Sequence, residues 1–86
     1  MEKQELLLLV GTKISSLRKK AGITQEEFSY KVGLDRSYYG GIERGERNVS
    51  SINLMRIAFS LGVEVGDLFP TLKEIEKYLD CDHSIQ

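Results

Sequence analysis

The sequence predicts an all-α domain of five helices. Apolar residues recur at helical spacing, and capping residues precede the periodic runs while glycines follow them. No run alternates apolar with polar as a half-buried strand would. A single proline, Pro70, fits the same reading.

The first helix is expected over Lys3 to Lys20. Leu6, Val10, Ile14, Leu17 and Ala21 form its stripe, and Gly22 stops it. Thr24 then caps a second helix, with Glu27 three residues on completing a capping box. That helix passes through Phe28 and Val32 to Gly33. Asp35 caps a third, which ends near Gly45. Ser50 caps a fourth, with the stripe Leu54, Ile57, Ala58 and Leu61 before Gly62. A short fifth helix is expected around Val65 to Phe69. After Pro70, Thr71 caps its continuation, an amphipathic stretch with Leu72, Ile75, Tyr78 and Leu79, and the chain is expected to fray from Asp80.

With 86 residues and neither repeats nor a linker, residues 1–86 read as one small domain. Cys81 is the only cysteine, so an internal disulfide is excluded and a reducing, cytoplasmic setting is expected. The apolar run Leu6 to Val10 is too short for a membrane span, and Glu2 and Glu5 are unsuited to a secretory leader. No membrane partner is expected. Net charge is −1, but it is unevenly spread. Residues 1–50 carry nine Lys/Arg against seven Asp/Glu, whereas residues 51–86 carry three against six. A mildly basic half with an acidic remainder is compatible with a nucleic-acid face without requiring one.

The joint between the second and third helices is more specific. Gly33 and Leu34 leave so little chain that the helices must cross steeply, as in a helix-turn-helix over about residues 25–44. Counting Gln25 as first, apolar groups fall at the fourth, eighth, tenth, fifteenth and eighteenth places: Phe28, Val32, Leu34, Tyr39 and Ile42. The fifth, where the helices approach closely, is the small Ser29. The ninth, where the turn needs a positive φ, is Gly33.

The stretch "ITQEEFSYKVGLDRSYYGGIERGERNVSSINLMRIAFSLGV", Ile23 to Val63, resembles the lambda-repressor-like (XRE-type) helix-turn-helix domain of bacterial and phage regulators. Within that family "DRSYYGGIERGERN" is similar to the segment carried by controller proteins of restriction–modification systems. The resemblance implies a five-helix DNA-binding fold and a homodimer on a palindromic operator. It further implies activation and repression of the controller and endonuclease genes, with RNA polymerase as a further partner. Phage repressors and antitoxins share most of the motif and remain alternatives.

A recognition helix turns its N-terminal residues toward base edges in the major groove. Capped by Asp35, the third helix would present Arg36, Ser37, Tyr38, Gly40 and Gly41. Arg36 suits bidentate readout of guanine, Ser37 a base or phosphate, and Tyr38 a sugar or thymine methyl. Gln25 opens the second helix, where backbone N–H groups favour a phosphate; the resemblance gives this glutamine a clamp on the DNA backbone. Arg44, Arg47 and Asn48, in or beside the loop after the third helix, are expected on phosphates, with Arg47 also a candidate for base edges. Lys19, Lys20 and Lys31 read as solvated charges.

The glycine pair Gly40–Gly41 weakens a helix by about 1 kcal/mol per residue relative to alanine. Relatives commonly carry a long polar reader near Gly41. The gap here is expected to let the backbone approach the groove, or to give Arg36 and Tyr38 room to swing. The resemblance also pairs Arg18 with Glu43 of the "IER" segment as a structural salt bridge.

The dimer surface is assigned to Val65, Leu68, Phe69, Leu72 and Ile75, more apolar groups than a short terminal segment should expose. No cofactor or metal is expected: Asp80, Cys81, Asp82 and His83 offer one Cys and one His where structural zinc takes four ligands. No nucleophile has a plausible base partner, so no enzyme is expected. The reading from another class is a protein-binding module with an idle DNA face.

Overall fold

The computed structural model describes residues 3–78, which hold five α-helices and one 3₁₀ turn, with no strand among them. The helices are α1 (Lys3–Lys20), α2 (Gln25–Val32), α3 (Arg36–Glu43), α4 (Ser51–Leu61) and α5 (Leu72–Glu76), with the 3₁₀ turn at Val65–Leu68 between the last two. The expected fraying from Asp80, Leu79 on the last helix, and the group Asp80, Cys81, Asp82 and His83 lie outside the described residues.

Local chemistry starts each helix after the first. Thr24 accepts from the N–H of Glu27 at 3.1 Å while the Glu27 carboxylate accepts from the N–H of Thr24 at 3.0 Å, a complete capping box. Asp35 accepts from Ser37 and Tyr38, Ser50 from Asn53, and Thr71 from Glu74. Gly33 adopts φ 84°, a left-handed conformation that side chains disfavour, and turns the chain sharply from α2 into α3.

The core comprises Ile14 of α1, Phe28 and Val32 of α2, Tyr39 and Ile42 of α3, Leu54, Ile57 and Ala58 of α4, and Leu68. Phe28 and Tyr39 meet edge to face with ring centroids 5.4 Å apart, fixing α2 against α3. Ser29 is buried where the two helices approach, its hydroxyl donating to the Glu26 carbonyl. Arg56 of α4 donates to the Val32 carbonyl at 2.9 Å, satisfying an acceptor at the end of α2.

Two expectations change at this level. The buried line of α1 is Gly11, Ile14 and Arg18, while Ala21 is exposed beyond the helix end. The cause is Gly11: a Cβ there would collide with the main chain of Ile42 and Glu43, the Glu43 oxygen lying 2.6 Å away. Only glycine lets α1 cross α3 so closely. The second change concerns Val65 to Phe69, which is a 3₁₀ turn and not the start of a continuous helix. Proline forces the residue before it out of the helical region, and Phe69 is accordingly extended, with φ −104° and ψ 151°. The tight turn aims Leu68 into the core, fully buried against α1 and α4. Leu68 therefore does not belong to a dimer surface. Val65, Phe69 and Leu72 stay exposed and Ile75 is half-buried.

Candidate nucleic-acid interface

α3 is held by a single carboxylate. Glu43, at its C-terminal end, is gripped by Arg18 of α1 through Nε at 2.6 Å and Nη2 at 3.1 Å. Tyr39, one turn earlier on α3, donates its hydroxyl to the same carboxylate, and Gln25 of α2 donates its amide at 2.7 Å. Arg18 also donates to the Ile23 carbonyl at 2.7 Å, just before α2. Three helices thus converge on one charge, and both partners of the ion pair are buried. Burial pushes the Glu43 carboxyl up, but the hydrogen bonds from Arg18, Tyr39 and Gln25 outweigh it and hold the group below its ordinary value. The Glu43 hydrogen bond raises Arg18. Burial, then the neighbouring carboxylate, pushes the Tyr39 phenol up.

This hub presents the opposite face of α3 to solvent. Arg36 and Ser37 are exposed in its first turn, immediately after the Asp35 cap. Arg44, Arg47 and Asn48 are exposed just beyond its end. Arg44 pairs with Glu46 at 3.2 Å, an exposed contact of little energetic weight. Arg36 makes no ion pair with the described residues. Gln25 is partly buried, and one of its two amide N–H donors is spent on Glu43. Tyr38 is half-buried: the Arg47 guanidinium lies 6.0 Å from its ring centroid, and Asn53 approaches its hydroxyl at 3.5 Å.

The glycine pair is not the open gap that the sequence suggests. Gly40 and Gly41 are both buried. A Cβ on Gly41 would stand 2.9 Å from Cγ of Arg47, because the Arg47 side chain lies along the helix there. A Cβ on Gly40 would stand 3.0 Å from Nη1 of Arg44, 3.3 Å from Nη1 of Arg36 and 3.6 Å from Oε1 of Gln25. Arginine side chains occupy the space, so the helix backbone is covered before any ligand arrives.

Sequence reasoning missed three features. Tyr39 reads as a purely apolar position, although its spacing of four from Glu43 is the signal for a side-chain pair on one helical face. Gly11 reads only as the end of an apolar run. The outer face of α4 carries Ile52, Met55 and Phe59, exposed by 66, 52 and 88 per cent, and their spacing of three and four marks a second stripe opposite the core one.

A closely joined α2–α3 pair turned at Gly33, with the first turn of α3 exposed and three exposed arginines in or just beyond that helix, has the form of a helix-turn-helix. A family model described as helix-turn-helix matches residues 14–68, and the chain belongs to this family of lambda-repressor-like DNA-binding transcription regulators. More particularly, it is similar to control proteins. Control protein C.MunI of Mycoplasma sp. is 42% identical over 74 residues, which are 85% of this chain and 96% of that protein. Control protein C.BamHI of Bacillus amyloliquefaciens is 40% identical over 73 residues, 81% of this chain and 90% of that one. The crystal structure of the restriction-modification controller protein C.AhdI from Aeromonas hydrophila superposes with a TM-score of 0.71 at 44% identity, covering 73% of this chain and 96% of that one. No helix among the described residues is long and apolar enough to cross a membrane.

Proposed function

We propose that this protein is the controller of a restriction–modification system, a cytoplasmic homodimer that binds a palindromic operator and regulates its own and the endonuclease gene. The observation that carries the reading is the exposed first turn of α3, with Arg36 and Ser37 capped by Asp35 and flanked by Arg44, Arg47 and Asn48. In this account Arg36 and Ser37 read base edges, and Arg44 and Asn48 hold phosphates. Gln25, at the start of α2, gives its remaining amide N–H to the DNA backbone in the complex.

One recognition helix covers too few base pairs to single out a genomic site, which favours two copies about one helical turn apart. Val65, Phe69, Leu72 and Ile75 form the proposed contact between them. Ile52, Met55 and Phe59 add to the apolar surface available to a second copy. RNA polymerase is the further partner through which such a dimer activates transcription. Footprinting on the DNA upstream of the protein's own gene tests the reading: two protected half-sites related by a dyad support it. Salt-insensitive binding of a protein partner with no protected DNA would favour the protein-binding module instead.

A further inference from the structure

The glycine pair lies in the middle of the helix that the proposed function depends on. Its actual surroundings are three guanidinium groups and a carboxamide. Arg47 comes from the loop after α3, folds back along the helix over Gly41, and ends against the face of Tyr38. Arg36 and Arg44 sit one helical turn before and after Gly40, and the ends of both lie within 3.3 Å of one point above it. The carboxamide oxygen of Gln25 lies 3.6 Å from the same point, and its amide is pinned by Glu43.

Two like charges gathered at one place repel, and an anion between them relieves that repulsion. Arg44 has a carboxylate neighbour in Glu46, 3.2 Å from its Nε, and its Nη1 lies 3.0 Å from the point above Gly40. A phosphodiester is an anion of the right size, and arginine meets its oxygens with paired N–H donors. Over Gly41 the arrangement is different. The Arg47 stem rests on the bare helix, and its guanidinium lies 6.0 Å from the centroid of the Tyr38 ring, within cation–π reach.

We propose that Gly40–Gly41 is a side-chain-free seat from which this chain builds its groove surface out of arginines borne elsewhere. Gly41 positions the loop-borne Arg47 along α3, where it stands in for the long polar side chain that α3 lacks at that place. Gly40 lets Arg44 close on a backbone phosphate, with one Nη1 N–H of Arg36 beside it and the other Arg36 donors left for the base edge that it reads. The inference rests on the proposed function and deepens it: Gly40 and Gly41 are positioning residues and touch no base.

The test uses the full chain with two duplexes, one carrying the upstream sequence that footprinting protects and one a scramble of equal length. Affinity is titrated for the wild type, Gly41→Ala, Arg47→Ala and the double variant. Alanine favours helix more than glycine does, and circular dichroism checks that α3 is intact. Gly41→Ala should lose about tenfold in operator affinity, the order of one base-edge contact. It should lose nothing further in the Arg47→Ala background. Gly40→Leu should make the salt dependence shallower by about one in log–log slope, the signature of one phosphate given up. Full operator affinity in Gly41→Ala, losses that simply add in the double variant, or an unchanged slope in Gly40→Leu would overturn the proposal. A wild-type chain that fails to tell the two duplexes apart overturns the proposed function and this inference together, whereas discrimination with additive losses overturns the inference alone.

Discussion

Gln25, the first residue of α2, donates its side-chain amide to Glu43, the last residue of α3, at 2.7 Å. A residue expected only to clamp DNA is thus part of the hub that sets the angle of the recognition helix. Fold stability and the proposed DNA contact of Gln25 meet at one carboxylate.

Breaking the hub from the α1 side should be strongly destabilising. Arg18→Met would leave the Glu43 carboxylate buried without its counter-charge. The expected cost is about 3–5 kcal/mol, as for other broken buried pairs. Urea denaturation measures it, and a loss below about 1 kcal/mol would show that water or another cation replaces Arg18.

The same hub makes stability depend on pH at both extremes. Glu43 titrates below its ordinary value of 4.5 in the folded chain, so the unfolded chain takes up its proton first. Its contribution is present above that value and is lost as pH falls through the folded pKa. Tyr39 is shifted above its ordinary 10.0, so its contribution is present below that value and is lost as pH rises beyond it. Thermal midpoints should fall in acid and again in strong alkali. In Glu43→Gln the midpoint should be lower at neutral pH and its acid slope shallower, and an identical acid slope would contradict the assignment.

Gly11 offers a test of the α1–α3 crossing. Alanine is the better helix former by about 1 kcal/mol, yet here its methyl meets carbonyl oxygens of α3. Gly11→Ala should therefore destabilise the fold, by about 1–3 kcal/mol as overpacked sites do. A denaturation midpoint at or above that of the wild type would mean that the helices separate at no cost.

Leu68 and Leu72 separate the core from the proposed dimer surface. Leu68 is fully buried, and Leu68→Ala should cost about 2–5 kcal/mol at any protein concentration. Leu72 is 84 per cent exposed, and Leu72→Lys should leave unfolding of the isolated chain unchanged while weakening self-association. Sedimentation equilibrium reads the second effect directly. Wild-type association in Leu72→Lys would remove α5 from the contact.

What the sequence made legible was local chemistry. Thr24, Asp35, Ser50 and Thr71 each cap the helix they announce, and Gly33 turns the chain where a positive φ was required. The illegible parts depend on where distant surfaces land. Leu68 and Phe69 are adjacent and similarly apolar, and only the 3₁₀ turn before Pro70 sends the first inward and leaves the second outside. The cover on Gly41 depends on the path of a loop whose residues read simply as charged. Gln25 was legible as a helix start, but its bond to Glu43 spans eighteen residues and follows from the crossing of α2 and α3.

The central claim is that α3 enters the major groove, twice, from a symmetric pair. Methylation interference at guanine N7 tests it most directly, because that atom lines the major groove alone. With the duplex protected upstream of the protein's own gene, the account predicts interference in two dyad-related patches about one helical turn apart, weakened in Arg36→Ala. Bound complexes indifferent to N7 methylation, or blocked only by minor-groove adducts, would contradict it.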